Sequence, residues 1–154
     1  MKKSMGFLAA LAGIVVALGL VVASGSPAQA AHRMQIHKIY YNSPGKDTGS
    51  NASLNGEWVE LQNTSGSKIT LKDWTVRDTA GHVFTFKAYT IKAHGSVKIH
   101  TGTGSGTQTD RYWGHSWYVW NNDGDTATLE DNHGNRIDRC SYSDPSESFS
   151  YKTC

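Results

Sequence analysis

Cysteine is nearly missing from this chain: it has two, Cys140 and Cys154, near the C-terminal end. None follows the N-terminal apolar stretch to carry a lipid, and no second cysteine stands at ligand spacing for a zinc site. The simplest use of the pair is one disulfide tying the tail to the last strand, worth about 3 kcal/mol for a loop of this length. Unpaired thiols or bridges between chains stay open as alternatives. Long apolar runs are scarce too. The one present, residues 7–23, follows Lys2 and Lys3 and precedes Pro27-Ala28-Gln29-Ala30. That three-part pattern predicts an export signal cut between Ala30 and Ala31. A retained anchor is the alternative, but the run is at the short limit for a bilayer and contains Gly13 and Gly19. Tyr151-Lys152-Thr153-Cys154 offers no hydrophobic tail for a second anchor. The expectation is a cleaved segment 1–30 and one secreted, extracellular domain over 31–154, with no membrane attachment.

Excess charge of one sign is also absent. The formal +2 belongs to Lys2 and Lys3; beyond residue 30, thirteen basic residues meet thirteen acidic ones. A neutral domain has no general attraction for phosphate backbones or anionic lipid, which argues against a strong non-specific nucleic-acid binder. A local basic face stays open. The length beyond residue 30 suits one domain, which buries about two-thirds of its unfolded surface.

Catalytic signatures are missing as well. There is no Gly-x-Ser-x-Gly elbow. Gly102-Thr103-Gly104-Ser105-Gly106 lacks the lysine and the strand-to-helix context of a phosphate loop. Glu57 and Glu60 stand three apart on one strand and so face opposite sides, which is poor geometry for a carboxylate pair. Four of the seven histidines (His82, His94, His115 and His133) adjoin a glycine and belong in turns, and no His-x-His or His-Glu-x-x-His pair occurs. The reading is no enzyme and no cofactor, with a small metal-dependent hydrolase as an alternative.

What is present reads as strands. Runs of four to eight residues alternate apolar and polar between Gly, Asn, Asp and Ser clusters, and nothing from His32 onward reads as a long helix. Residues 57–63 give the clearest strand, with Val59 and Leu61 on one face and Trp58, Glu60 and Gln62 on the other. Residues 35–41, 84–86, 97–99, 126–131 and 136–142 follow the same period, the last two as a hairpin around Asn132-His133-Gly134-Asn135. A polar loop runs from Asn42 to Gly56, and a glycine-rich one from Thr101 to Thr109. Roughly seven to nine short strands at even spacing favour an all-β sandwich.

Three stretches in order carry a family resemblance: Gly56-Glu57-Trp58-Val59-Glu60-Leu61-Gln62-Asn63, Leu71-Lys72-Asp73-Trp74-Thr75-Val76-Arg77-Asp78, and Trp120-Asn121-Asn122-Asp123-Gly124-Asp125-Thr126-Ala127-Thr128-Leu129. Ile39-Tyr40-Tyr41-Asn42 and Gly134-Asn135-Arg136-Ile137-Asp138 fit at either end. Together, over residues 34–142, the chain resembles the lamin-tail domain family in its secreted bacterial form. The resemblance implies an immunoglobulin-like β-sandwich without catalytic residues. In nuclear-lamina members the domain binds proteins and has been linked to DNA; bacterial members accompany secreted or surface hydrolases, nucleases among them. In such a sandwich Val59, Leu61, Trp74, Val76 and Leu129 are core residues.

Tyr112, Trp113, Trp117, Tyr118 and Trp120 place five aromatics within nine residues, too many for one face of a strand. Two readings follow. Trp113, Trp117, Tyr118 and Trp120 stack on sugar rings or anchor a protein partner. Alternatively, Trp113 and Trp120 fill the core while Trp117 and Tyr118 cover an edge. Asn121-Asn122-Asp123-Gly124-Asp125 offers oxygens to calcium through Asp123 and Asp125, yet Asp-Gly is equally a turn signal, and no glutamate closes an EF-hand loop. The resulting expectation is a binding module for a protein or a cell-envelope polymer such as a cell-wall polysaccharide. A self-associating surface-coat protein is the alternative.

Overall fold

Short runs of β-branched and aromatic residues, cut by turn formers, satisfy their backbone groups by pairing with one another. The computed structural model describes residues 33–154 and pairs these runs into a two-layer sandwich. The expected signal segment lies outside the described residues. In chain order the elements are β1 (Met34–Tyr40), α1 (Asn51–Leu54), β2 (Trp58–Asn63), β3 (Ile69–Thr70), β4 (Thr75–Arg77), β5 (Val83–Thr85), β6 (Thr90–Ile91), β7 (Ser96–His100), β8 (Asp110–Tyr112), β9 (Gly124–Glu130), β10 (Arg136–Ser143) and β11 (Tyr151–Thr153). One sheet has the order β11-β1-β2-β7-β8, the other β10-β9-β4-β5. Those nine strands match the expected number, and β3 and β6 form a separate two-residue ribbon. The fold is the expected all-β, immunoglobulin-like sandwich. Among the described residues no helix is long and apolar enough to cross a membrane.

Alternation decides which side chains meet between the layers. Val59, Leu61, Trp74, Val76 and Leu129 are all buried, in one cluster that also takes Ile36, Ile39 and Trp120. The opposite face of the five-stranded sheet carries Trp58, Glu60 and Gln62, half-buried. There Tyr151, Tyr40, Trp58, His100 and Tyr112 stand opposite one another in register, one from each strand. Tyr40 stacks on both Tyr151 and Trp58, with centroids 5.9 and 5.4 Å apart. Such cross-strand aromatic pairs stabilise a sheet by about 0.2–1 kcal/mol each.

Three sequence expectations need correction. The expected Cys140–Cys154 disulfide ties the tail to β10, but the tail is itself a strand, β11, on the edge of the five-stranded sheet beside β1. The Cys140–Cys154 disulfide (Cα–Cα 5.9 Å) therefore joins β10 of one sheet to the end of β11 in the other. The polar loop after β1 contains the one-turn helix α1, whose N-cap Ser50 Oγ accepts from Ser53 N at 3.3 Å. The aromatic stretch leaves its sheet after Tyr112, and Trp113 to Trp120 form a loop. β8 pairs parallel to β7 across the glycine-rich loop, and Gly104 lies flat against the Tyr112 ring, where any side chain would collide.

Candidate functional site

Backbone bonds set the course of the aromatic loop. Trp113 N donates to His100 O (2.8 Å), Gly114 N to Gly102 O (2.9 Å) and His115 N to Thr101 O (3.0 Å). Farther along, Val119 N donates to Glu57 Oε2 (3.1 Å), which also accepts from Thr101 Oγ1 (2.8 Å). Glu57 is 1% exposed. Its carboxyl is pushed up to about 8, first by burial; bonds from Val119, Thr101 and Trp120 pull the other way, and Asp47 adds a smaller upward push. At neutral pH this group is mostly protonated and hydrogen-bonding rather than charged.

With both ends fixed, the middle of the loop projects outward. Trp117 is 65% exposed. Its ring meets Tyr118 edge to face (centroids 5.5 Å) and closes over Gly49, where a Cβ would lie 2.8 Å from the indole. Gly49 also has φ +65°, which favours glycine. Tyr118 OH shares a hydrogen bond with Ser53 Oγ of α1 (2.6 Å) and accepts from Gly49 N (3.3 Å). The indole is thus exposed, yet it sits on a fixed seat.

Beside this ring is a cleft of about 220 Å³ lined by Asp47, Glu57, Trp117, Tyr118, Trp120, Asn121 and Asn122. Asn122 Nδ2 reaches Asp47 Oδ2 across its rim (3.4 Å). Trp120, 1% exposed, packs edge to face with Trp113 (centroids 6.0 Å) and belongs chiefly to the core. Trp113 is half-buried against that core. The structure therefore separates the four aromatics named from sequence: Trp117 is open, Tyr118 half-buried, and Trp113 and Trp120 turn inward.

Asp123 and Asp125 do not converge on an ion. Asp125 Oδ1 accepts from Thr79 Oγ1 (2.6 Å), Thr79 N (3.3 Å) and Thr126 N (2.7 Å), and Oδ2 accepts from Asn121 Nδ2 (3.2 Å). Asp123 is exposed and takes Asp144 N on its backbone oxygen (2.8 Å). Among the described residues no group of three or more His, Cys, Asp or Glu side chains is arranged to hold a metal.

Asp78 Oδ2 meets His82 Nδ1 at 2.5 Å, and His82 meets His115 edge to face at 4.8 Å. Burial, followed by the neighbouring His82, lowers the pKa of His115. A larger groove of about 320 Å³ separates the edges of β5 and β8, lined by Phe84, Tyr89, Arg111 and Tyr112 among others. Arg111 is already committed there, lying over the Tyr89 ring at 4.2 Å and bonding Thr107 O and Asp110 O. The Trp117 cleft is smaller but combines an open ring with polar groups that have bonding capacity left.

Sequence reasoning missed Asp47 and assigned Glu57 no binding part. Glu57 had a signal: it shares its parity with Val59 and Leu61, so the alternation that buries them also turns this carboxyl inward. Asp47 had none, since its place depends on how the loop before α1 folds over Asn122.

No curated protein matches this sequence. The family model described as Lamin Tail Domain matches residues 27–144, which includes every strand from β1 to β10 and stops short of β11 and Cys154. By that match, and with the sandwich and its core in place, the chain belongs to the lamin tail domain family.

Proposed function

We propose that this protein is an exported, non-catalytic binding module that recognises a polymer of the cell envelope through the loop end carrying Trp117. The observation that carries the reading is Trp117 itself: a large apolar ring, 65% exposed, held by Gly49 and Tyr118 rather than left mobile. An exposed indole on a fixed seat loses little freedom on binding and supplies much contact area. Membership of a family with an immunoglobulin-like fold agrees with an interaction role, although the fold alone does not name the ligand. The export pattern at residues 1–30 and the disulfide suit an oxidising extracellular space.

A protein partner is the second reading, favoured by the family's interaction role. Self-association through open sheet edges has less support. β5, β8 and β11 are three residues long, and β10 is blunted by a register break between Arg136 and Asp138 and by exposed Arg139. The test is pull-down of the purified, disulfide-bonded protein on insoluble cell-wall fractions, wild type against Trp117→Ala, with circular dichroism to confirm folding. Saturable binding that weakens at least about tenfold in the variant supports the reading. Wall binding unaffected by the substitution, or absent from wild type, refutes it.

A further inference from the structure

We infer that the cleft between Asp47, Trp117 and Asn122 holds one ring of a neutral saccharide. The inference rests on the reading that the Trp117 end is the binding end, and it names the chemistry that end selects. A pyranose ring has an apolar C–H face and a rim of hydroxyls that both donate and accept. The cleft offers a counterpart to each. Trp117 supplies an open aromatic ring. Asn121, Asn122 and Asp47 in the same lining supply amide donors and oxygen acceptors.

Two observations narrow the ligand, and a third describes the floor it would meet. First, no Lys, Arg or His lines the cleft, while Asp47 does, so an acidic sugar, a phosphate or a nucleic-acid backbone finds no counter-charge. Second, a volume of about 220 Å³ falls below the roughly 300–1,000 Å³ of sites for drug-sized ligands, which suits a single ring and not a folded peptide segment. Third, the base of the cleft is built from buried polar groups. Glu57 and Trp120 are each 1% exposed, and the indole Nε1 of Trp120 has no acceptor among the described residues. Trp113 Nε1 and Asn55 Oδ1, which do not line the cleft, are unpartnered as well, so the Trp120 donor describes the floor of the cleft and does not choose its ligand. The aromatic row on the outer sheet face does not compete for this role. Its rings stack on one another, and Lys98 and Lys38 lie over Trp58 and Tyr151 at 4.2 and 4.7 Å, so the ring faces are taken.

The experiment is calorimetric titration of the purified, disulfide-bonded protein with neutral oligosaccharides (cello-, chito- and manno-tetraose) and with acidic tetragalacturonate. Wild type is compared with Trp117→Ala and Asn122→Ala. Asn122 is half-buried and its side chain bonds only Asp47, so its replacement leaves the fold intact, which thermal unfolding checks. The expected result is saturable binding of at least one neutral series and none of the acidic one. Asn122→Ala weakens it about three- to tenfold and Trp117→Ala more than tenfold. The same oligosaccharide then displaces the protein from insoluble walls if the ligand is a wall glycan, and fails to do so if it is a free sugar. Wall binding lost in Trp117→Ala with no heat from any oligosaccharide overturns the saccharide inference and leaves the binding-module reading standing. Tighter binding of the acidic oligomer than of the neutral ones overturns it as well. Absence of wall and sugar binding alike overturns both.

Discussion

Behind the Trp117 loop, the Glu57 carboxyl accepts from Val119 N and Thr101 Oγ1 at one oxygen while almost fully out of water. Burial raises its pKa from 4.5 to about 8. Between those values the folded protein holds a proton that the unfolded chain has released, so stability falls as pH rises. The contribution is complete below about pH 4.5 and gone above about pH 8, with a slope near 1.4 kcal/mol per pH unit between. Glu57→Gln keeps the acceptor and removes the titration. Urea unfolding at pH 5, 6.5 and 8 is expected to show a flatter profile for the variant and a variant more stable than wild type at pH 8; parallel profiles contradict this. Asp125 accepts from several donors at once, on Thr79, Asn121 and Thr126. Asp125→Ala strands those donors and is expected to destabilise by about 2–4 kcal/mol. A chelator is expected to leave the melting temperature of the wild type unchanged, because the carboxylate organises its loop through N–H and O–H groups. A fall of several degrees with chelator restores the calcium reading.

At the scale of elements, legibility follows burial. β2 announces itself because Val59 and Leu61 alternate with polar neighbours, and the same parity places Glu57. β11 is silent in sequence because all three of its residues are exposed; what fixes it lies elsewhere. β1 supplies its ladder, Ser150 O accepts from Tyr41 N (3.0 Å), Cys154 N donates to His37 O (2.9 Å), and the disulfide closes the end. The other half of that β1 edge is satisfied from β10: Ile36 N donates to Asp138 Oδ2 (2.7 Å) beside the bulge between Ile36 and Lys38. Such long-range pairings leave no periodic trace. The site was half legible for the same reason. Five aromatics in nine residues marked the loop, but which ring is open depends on Gly49 and Ser53, more than sixty residues earlier. Because β11 hangs on one edge, Cys154→Ser is expected to lose at most about 3 kcal/mol and leave the sandwich folded. Hydrogen exchange reads this directly: amides of β11 lose protection while those of β2 and β7 keep it. Loss of protection in β2 contradicts an edge role for the tail.

Over the whole molecule, balance of charge is matched by its arrangement. Thirteen basic residues face thirteen acidic ones beyond residue 30, and the signs are interleaved. Across the outer face of the five-stranded sheet, Lys38, Glu60, Lys98 and Asp110 stand in register on adjacent strands, alternating in sign. Arg77 is paired with Glu130 at 3.2 Å, and Arg111 is folded over Tyr89. A duplex phosphate backbone demands several unpaired cations spaced along one surface, and each phosphate neutralised adds close to one unit to the salt dependence of binding. The outer face of the five-stranded sheet thus presents a carboxylate beside each of these lysines, so contacts made there are cancelled by neighbours within the roughly 8–10 Å over which charges act at physiological salt. Titration of a fluorescent duplex is therefore expected to give no saturable binding at 150 mM salt and only a shallow dependence at lower salt. A steep dependence, equivalent to several phosphates, requires a basic surface built by the remaining cations, Lys68, Lys72 and Lys92 among them. Charge reversal at those lysines is then expected to abolish the duplex binding while leaving any binding at the proposed cleft of Asp47 and Asn122 unchanged.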